Sequence, residues 1–428
     1  MSKMKEGSVN GPLGEEIVGR IAELAAISET PEHLARVFLT REHRAAADLI
    51  LGWMRLAGMQ AHLDAIGNVC GRYEGKVAGS PCLMLGSHYD TVRDAGKWDG
   101  PLGLITAISC VADLHRKGLR LPFAVEVTGF ADEEGVRFAS TLLGSRAVAG
   151  TFDESVLGVK DAAGISMRDA LIQFGLDPDH IGAAARAPSE LLAYVELHIE
   201  QGPVLEGLKL PVGVVTAIAG ATRLAASLTG MAGHAGTVPM LLRRDALAGA
   251  AECIVEIEEF CRTDQDGLVG TVGYIHAMPG ATNVIPGQVS FTIDLRAPTD
   301  AHRKLAVADI VRRIENIAKR RKLSLQLDVT HENRTVPCAP WLKRQVSDAI
   351  AKAGFRVFEL PSGAGHDGMA MIDLADVAML FVRCRGGISH HPDEQGDVAD
   401  ADAGARVLLR LIENFRRRAA ADDADDGR

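Results

Sequence analysis

The sequence lacks several features that would each assign it to a particular class of protein. It has no run of eighteen or more apolar residues, so we expect no transmembrane helix. The lysines near the start, Lys3 and Lys5, are not followed by an apolar segment, and we therefore expect no secretory signal. Basic residues are outnumbered, with 46 Lys and Arg against 56 Asp and Glu, which argues against nucleic-acid or membrane partners.

Cysteine is also scarce. The seven cysteines are scattered, odd in number and free of any CxxC pair, so the pattern predicts neither a disulfide framework nor a thiolate zinc site. It is typical of reduced thiols in a cytoplasmic protein. These residues are Cys70, Cys82, Cys110, Cys253, Cys261, Cys338 and Cys384.

Apolar segments of two periodicities alternate along the first half of the 428-residue chain, which is long enough for two or three domains. Residues 41–59 and 102–118 place apolar side chains at helical spacing. Three apolar runs have the length of a strand, and the second predicted helix lies between the first two of them. They are PCLML at 81–85, FAVEVTGF at 123–130 and LAYVEL at 192–197. This alternation predicts an α/β fold with helices on both sides of a sheet.

The order of elements changes near residue 218. From 223 to about 331 the pattern predicts strand, helix, strand, strand, helix, strand, with the helices at about 243–262 and 299–321. The predicted strands are RLAASLTG, LVGTVGYIHA, QVSFTIDLRA and LSLQLDVTH. This βαββαβ order is typical of an α+β ferredoxin-like domain. Further on, the α/β pattern resumes with a strand, VAMLFVRC, and helices at about 340–354 and 401–418.

We therefore predict one large α/β domain formed by two segments of the chain and one small domain inserted between them. The predicted segments are 1–218 and 332–428 for the large domain and 219–331 for the inserted one.

Polar clusters follow four of the apolar strands. The ends of parallel strands are where open α/β sheets place ligands, so we expect these clusters to lie together. A single histidine at a strand end is more often structural, and a triplet of acids is usually a solvated turn; four such clusters on one sheet favour a binding site. The clusters are GSHYDTVRDAGKWDG, FADEEGVRF, ELHIEQGP and GGISHHPDE.

The side chains in these clusters suit divalent metals. Imidazole and carboxylate without thiolate are ligands for Zn²⁺, Mn²⁺, Co²⁺ or Ni²⁺, whereas Ca²⁺ requires more oxygens. Adjacent carboxylates such as Asp132, Glu133 and Glu134 repel one another unless a cation or a proton lies among them. Two ions about 3.5–4 Å apart can share a carboxylate, and a further carboxylate must then accept a proton from the attacking water.

Six motifs, in order along the chain, resemble those of the di-metal aminoacylase/carboxypeptidase superfamily. Within it the match is to the branch of N-carbamoyl-amino-acid hydrolases, ureidopropionases and allantoate amidohydrolases, over residues 15–415. Three stretches resemble the allantoate amidohydrolases in particular: DAGKWDGPLG, GHAGTVPM and the segment from Pro361 to Pro392. The six motifs are GSHYDTV with WDG, FADEEGVRF, ELHIEQGP, GHAGTVPM, TNVIPG with DLR, and GISHHP.

The resemblance implies a fold and a metal site. The fold is a di-metal exopeptidase-like catalytic domain with a central mixed sheet, joined to an inserted ferredoxin-like lid and dimerisation domain. Two divalent ions per subunit are implied, Mn²⁺ by analogy, with Zn²⁺, Co²⁺ or Ni²⁺ as alternatives. His88, Asp99 and His198 would hold one ion, and Asp99, Glu134 and His390 the other, with His391 the alternative to His390.

The resemblance also implies catalytic and substrate-binding residues. Glu133 would be the general base, and His234 would stabilise the oxyanion at the active site of the partner subunit of a homodimer. Asp132 would orient a ligand histidine through its ring N–H. Asn283 and Arg296 would contact the carboxylate and ureido groups of the substrate. Gln201 and His366 are further candidates for substrate contact, for which a structural role is an equal alternative.

The implied activity is metal-dependent hydrolysis of a ureido C–N bond, with allantoate as the expected substrate in purine catabolism. The products would be ureidoglycine, ammonia and carbon dioxide. An N-carbamoyl-L-amino-acid hydrolase or a β-ureidopropionase would use the same residues and differ only in pocket shape. A dipeptidase is disfavoured because its relatives tend to carry a carboxylate where this chain has His198. A non-catalytic protein that binds ureides or metal is a further alternative, although it would not need Glu133.

Overall fold

The computed structural model describes residues 12–418, which form two compact units. The large unit contains the chain up to Thr216, Cys338–Leu360 and the chain from His366 onward. The small unit runs from Ala217 to Pro337, where the sequence predicted a domain over 219–331, and also takes in Pro361–Gly365. The start of the chain, for which we expected no secretory signal, lies outside the described residues.

Eleven α-helices lie within residues 12–418, and none of them is long and apolar enough to cross a membrane. They are α1 Leu13–Ala25, α2 Arg41–Leu56, α3 Pro101–Arg116, α4 Leu143–Val148, α5 Met167–Phe174, α6 Val204–Leu208, α7 Ala246–Thr263, α8 Asp300–Arg321, α9 Pro340–Lys352, α10 Gly368–Met371 and α11 Val398–Asn414.

The same residues contain sixteen strands. They are β1 Gln60–Leu63, β2 Val69–Tyr73, β3 Cys82–His88, β4 Ala124–Phe130, β5 Leu191–Ile199, β6 Val212–Ile218, β7 Gly220–Thr229, β8 Gly233–His234, β9 Val269–Thr271, β10 Ile275–Met278, β11 Val284–Ile285, β12 Gln288–Ala297, β13 Ser324–Asn333, β14 Val336–Pro337, β15 Glu359–Ser362 and β16 Val377–Val382.

The main sheet is mixed, as the sequence predicted. Its strand order is β1-β2-β4-β3-β5-β16-β6-β14, and β15 pairs with β6. The four central strands β4, β3, β5 and β16 run parallel, whereas β2 and β6 join them in antiparallel orientation. β3, β4 and β16 are buried along their whole length, which explains why they appear in the sequence as continuous apolar runs. Because the four central strands are parallel, their carboxyl ends meet at one edge of the sheet.

Helix α3 packs on this sheet and is buried on nearly every side. Its third residue, Gly103, lies so close to β5 that a Cβ atom there would be 2.0 Å from the carbonyl oxygen of Leu197. Only glycine permits this approach of helix to strand. The contact matters for the site, because His198 is the next residue of that strand.

The small unit has its own sheet and core. The strand order is β10-β12-β7-β13, with every pair antiparallel, and β9 also pairs with β12. Helices α7 and α8 bury apolar side chains against the sheet, among them Cys253, Ile257, Ile310 and Ile314. The predicted strand LVGTVGYIHA is wrong as a single element: it is two short strands, β9 and β10, which pair with opposite ends of β12.

Candidate metal centre and active site

The four polar clusters lie at the carboxyl ends of the four central parallel strands. His88 ends β3, and the acidic triplet that includes Glu133 and Glu134 follows β4 directly. His198 is near the end of β5, and His390 lies in the loop after β16. The parallel orientation of these strands brings residues from distant parts of the chain to one edge of the large unit.

Asp99 lies at the centre of this cluster, and its two oxygens face different partners. Oδ1 is 3.3 Å from Nε2 of His88 and 3.1 Å from Nε2 of His198. Oδ2 is 3.3 Å from Nε2 of His390, and that nitrogen is 3.5 Å from Oε1 of Glu134. Asp99 thus belongs to two groups of potential metal ligands. One group is His88, Asp99 and His198, the other is Asp99, Glu134 and His390, and the ligand atoms within each group lie within 4.8 Å of one another.

Hydrogen bonds fix which ring nitrogen of each buried histidine faces Asp99. Nδ1 of His88 lies 3.1 Å from the carbonyl oxygen of Asp90, and Nδ1 of His198 lies 2.9 Å from that of Ile199. A carbonyl oxygen only accepts, so each Nδ1 carries a hydrogen and each neutral ring turns its Nε2 lone pair toward Asp99.

The donor set fits a divalent metal. Within residues 12–418, Nε2 of His198 is buried and makes no hydrogen bond, although Oδ1 of Asp99 lies nearby. A lone pair and a carboxylate that face each other in a buried place repel unless a proton or a cation lies between them. Imidazole with carboxylate oxygen is the donor chemistry that Mn²⁺, Zn²⁺ and Co²⁺ accept.

The charges of the site lead to the same conclusion. Burial and the neighbouring charge of Glu134 raise the pKa of Glu133 well above its usual value, and burial raises the pKa of Glu134 to about 7. Burial also acts to raise the pKa of Asp99, but the histidines around it, His198 first, hold that pKa well below its usual value. Several acidic groups therefore share a space that one or more cations would neutralise.

Gly100 explains why glycine follows Asp99 in the sequence. Its φ is 80°, in the left-handed region, and a Cβ atom there would lie 2.5 Å from Cε1 of His88. A larger residue would be strained and would displace the His88 ring.

Asp132, which the sequence analysis expected to orient a histidine, makes no hydrogen bond with a histidine among residues 12–418. Its Oδ1 accepts from the backbone N–H of Gly135. Asp90 is the carboxyl residue beside His88, with Oδ1 3.5 Å from Nδ1 of His88 and the carbonyl oxygen closer still. Asp90 also accepts from the backbone N–H groups of Glu133 and Glu134, so it links the loop after β3 to the loop after β4. The sequence pattern SHYD placed it within two residues of His88, and that proximity was the available signal.

Gln201 and His366 both lie at the cluster. Nε2 of Gln201 donates to Oδ2 of Asp99 at 2.7 Å and to Oγ of Ser389 at 3.1 Å. The buried ring of His366 packs edge to face on His198, with ring centroids 4.5 Å apart. Both residues thus contact other groups of the cluster directly.

The doublet His390–His391 is separated by the structure. The ring of His390 faces Asp99 and Glu134, whereas Nδ1 of His391 accepts from the backbone N–H of Asp393 and the side chain is exposed. His390 has a φ of 56°, unusual for a residue with a side chain, so the turn here is strained to aim the ring.

The other three predicted residues belong to the small unit. His234 is exposed at the end of β8 and pairs with Val284, while the backbone N–H of Ala235 donates to the carbonyl oxygen of Asn283. Asn283 is the residue before β11, the strand that pairs with β8, so it lies near His234. Arg243, which the sequence analysis did not select, donates to the carbonyl oxygen of Ala235 and fixes this loop.

Arg296 is held by a bidentate ion pair. Its Nε and Nη2 donate to the two oxygens of Asp294 at 2.8 and 3.1 Å, and its Nη1 donates to the carbonyl oxygen of Gly363 at 2.7 Å. Asp294 also accepts from Nε of Arg223. These residues line a cavity of about 580 Å³ within the small unit.

Three histidines and several carboxylates lie at the carboxyl edge of the parallel strands and share one aspartate, Asp99. This arrangement is that of a metal-dependent hydrolase. The comparisons place the chain more narrowly. Residues 84–414 match the family described as Peptidase family M20/M25/M40, and the chain belongs to this family. Enzymes of this family are metal-dependent.

Relatives and solved structures are similar over almost the whole chain. An allantoate deiminase from Arabidopsis thaliana is 45% identical over 93% of this chain and 81% of its own length. An N-carbamoyl-L-amino acid amidohydrolase from Geobacillus stearothermophilus is 42% identical over 93% of this chain and 98% of its own. A hydantoinase/carbamoylase family amidase from Burkholderia multivorans superposes with a TM-score of 0.88 at 33% identity, covering 95% and 98% of the two chains.

Proposed function

We propose that this chain is an allantoate amidohydrolase, which hydrolyses a ureido C–N bond of allantoate to give ureidoglycine, ammonia and carbon dioxide in purine catabolism. The observation that carries the proposal is Asp99, with one oxygen facing His88 and His198 and the other facing His390. The likeness to an allantoate deiminase at 45% identity supports the substrate.

The proposed cofactor is a pair of divalent ions per subunit, with Mn²⁺ the expected metal. His88, Asp99 and His198 would hold one ion, and Asp99, Glu134 and His390 the other. Such ions, when bound, polarise the carbonyl oxygen of a substrate and lower the pKa of water.

Glu133 is the proposed general base. It follows β4 directly, and one of its oxygens lies within 4.8 Å of a ring nitrogen of His88 and an oxygen of Glu134. A raised pKa brings a carboxylate closer to the pH at which it both accepts and returns a proton. Glu133 would take a proton from the attacking water and pass it to the leaving nitrogen.

Arg296 is proposed to bind the carboxylate of the substrate. A guanidinium has five N–H donors, and Asp294 and Gly363 use three of those of Arg296. Two donors remain, enough for one bidentate contact with a carboxylate. Asn283 would contact the ureido group.

The small unit is proposed to be the lid and dimerisation domain of a homodimer. Its antiparallel sheet with two helices on one core supports a ferredoxin-like domain. In this dimer His234 would stabilise the oxyanion of a substrate held by the other subunit, and its exposed position in the small unit is consistent with that role.

A second candidate activity is hydrolysis of N-carbamoyl-L-amino acids. The relative of that name is 42% identical and is covered over 98% of its length, so overall similarity does not separate the two substrates. The two substrates differ in size by a few groups, which a pocket discriminates by only about 1–3 kcal/mol per methylene.

Ammonia release would decide between these activities. The Mn²⁺-reconstituted protein would be assayed in parallel with allantoate, N-carbamoyl-β-alanine and a panel of N-carbamoyl-L-amino acids, the amino-acid product being measured as well. We expect the highest kcat/KM with allantoate. A preference for a carbamoyl amino acid would move the chain to the second activity, and no turnover of any of them by metal-loaded protein would refute both.

A further inference from the structure

A buried carboxylate that the proposed mechanism does not use lies against the loop of Asp99. Glu394 is 3% exposed, and its Oε1 accepts from the backbone N–H groups of Trp98 at 2.7 Å and Asp99 at 3.0 Å. A Cβ atom on Gly96 would lie 2.2 Å from the carboxyl carbon of Glu394, so the side chain packs directly on this loop. Two hydrogen bonds to the carboxylate of Glu394 thus join segments that lie almost 300 positions apart in the sequence.

The other oxygen of Glu394 faces the loop of His390. Oε2 lies 3.0 Å from Oγ of Ser389, the residue before His390, and the same Oγ is hydrogen-bonded to Oδ2 of Asp99. Glu394 and Ser389 together thus connect the backbone and the carboxylate of Asp99 with the loop of His390. We call this pair the carboxylate–hydroxyl bridge.

The hydroxyl of Ser389 has one hydrogen and two carboxylates within reach. Gln201 donates to Oγ, so one lone pair of the hydroxyl is also engaged. The hydrogen is therefore given either to Asp99 or to Glu394. Oδ2 of Asp99 already accepts from Nε2 of Gln201, so a cation on that oxygen would compete with the Ser389 hydrogen for the remaining lone pair. Glu394 is the acceptor that can receive this hydrogen instead.

We propose that Glu394 and Ser389 are positioning residues that set the place of Asp99 relative to His390 and leave one lone pair of Oδ2 of Asp99, beside the hydrogen bond from Gln201, for a cation. The bridge thereby determines the affinity of the ion held by Asp99, Glu134 and His390. Glu394 and Ser389 make no hydrogen bond with His88 or His198 among the described residues, so the other ion depends on the bridge much less. This inference rests on the two-ion site proposed above.

Glu394→Gln tests the inference with little change in shape. The amide oxygen can still accept from the backbone, but the amide N–H donates to Ser389 and directs the hydroxyl hydrogen to Asp99, where the cation would bind. Substitutions next to metal ligands cost about 10- to 100-fold in metal affinity, and we expect such a loss for one ion and less than about threefold for the other.

The measurement is Co²⁺ binding to full-length protein freed of metal, followed by visible absorption and by metal analysis after equilibrium dialysis. His390→Ala identifies the step that belongs to the His390 site. Glu206→Gln is a matched control, because Oε2 of Glu206 accepts from the backbone N–H of Gly386 in the same loop but does not touch the cluster. Ser389→Ala, which removes only the hydroxyl, should weaken the same step as Glu394→Gln.

The results separate three cases. A selective shift of the step that His390→Ala removes, with an unchanged melting temperature of the metal-free protein, is the expected outcome. Wild-type affinity in Glu394→Gln, or equal loss of both steps with a lower melting temperature, would overturn the bridge while leaving the two-ion site intact. Binding of fewer than two Co²⁺ ions by the wild-type protein would refute the two-ion site and this inference with it.

Discussion

Replacing Gly100 with alanine would test whether the sequence motif WDG is required by the geometry around His88. Gly100 has a φ of 80°, and a Cβ atom would lie 2.5 Å from Cε1 and 2.6 Å from Nδ1 of His88. A φ this positive costs a residue with a side chain about 1–2 kcal/mol. Overpacking of a buried site costs about 1–3 kcal/mol more. The free energy of unfolding should therefore fall by about 2–5 kcal/mol in total.

Gly79→Ala is the matched control. Gly79 has a similar φ of 72°, but apart from its chain neighbours no atom of the part of the chain that the structure describes lies within 4 Å of the position that its Cβ would take. It therefore carries the backbone cost without the collision, and its unfolding free energy should fall by only about 1–2 kcal/mol. The difference between the two variants isolates the contact with His88.

Two assays give the comparison. Urea denaturation of metal-free protein measures the stability of each variant, and Co²⁺ titration measures whether the His88 ring can still bind. Gly100→Ala should lose affinity for one ion, whereas Gly79→Ala should bind both ions as the wild type does. If the two variants have equal stability and equal metal affinity, the close approach of Gly100 to His88 has no energetic role and the reasoning is wrong.

Three further predictions use other parts of the molecule. Glu133→Gln should retain both ions and lose turnover; loss of metal would make Glu133 a ligand instead of a base. Asp294→Asn should loosen Arg296 and raise KM for allantoate about tenfold with little change in kcat, since the lost contact is a binding contact; an unchanged KM would contradict it. Burial lowers the pKa of His43 from 6.5 to about 3, so the stability that neutral His43 gives is present above pH 6.5 and is lost as the pH falls toward 3. Between pH 7 and pH 5 the free energy of unfolding of His43→Phe, measured with urea, should therefore fall by about 2 kcal/mol less than that of the wild type. Equal pH dependence of the two proteins would contradict this prediction.

The central strands were predictable because they are buried on both faces. Continuous apolar runs such as 123–130 and 377–384 correspond to β4 and β16, and the segment 288–297 is β12 without any difference in bounds. The ends of helices were less accurate: the helix predicted over 401–418 is α11, Val398–Asn414. Periodicity locates the buried face of a helix but gives little information about its last turn.

The split of the predicted strand 268–277 into β9 and β10 shows a different limit. The apolar residues there suggest one strand, but Gly273 lies in the break between the two pairings with β12. Whether a glycine interrupts a strand depends on the partner that it must follow, and the partner is distant in sequence.

The residues that face Asp99 were predictable from motif wording, whereas those that hold it were not. Glu394 was visible in GGISHHPDE, but nothing local connects it with the backbone of Trp98 and Asp99. Asp132 and Asp90 are both acids beside a ligand motif, and only the fold shows that Asp90 is the one next to His88. Hydrogen bonds between loops depend on the sheet order, which the sequence does not encode at any single position.

The geometry of Asp99 limits what could replace it. One carboxylate presents Oδ1 to two imidazoles and Oδ2 to a third, and Gln201 and Ser389 also bond to Oδ2. Asparagine would offer one oxygen and turn an N–H toward the other group, so it could serve only one of them. Glutamate would keep both oxygens but move them by about one bond length from positions that already lie 3.1–3.3 Å from the three imidazoles. Aspartate is therefore the residue that satisfies both groups of side chains, which explains why a single short motif, WDG, is central to the site.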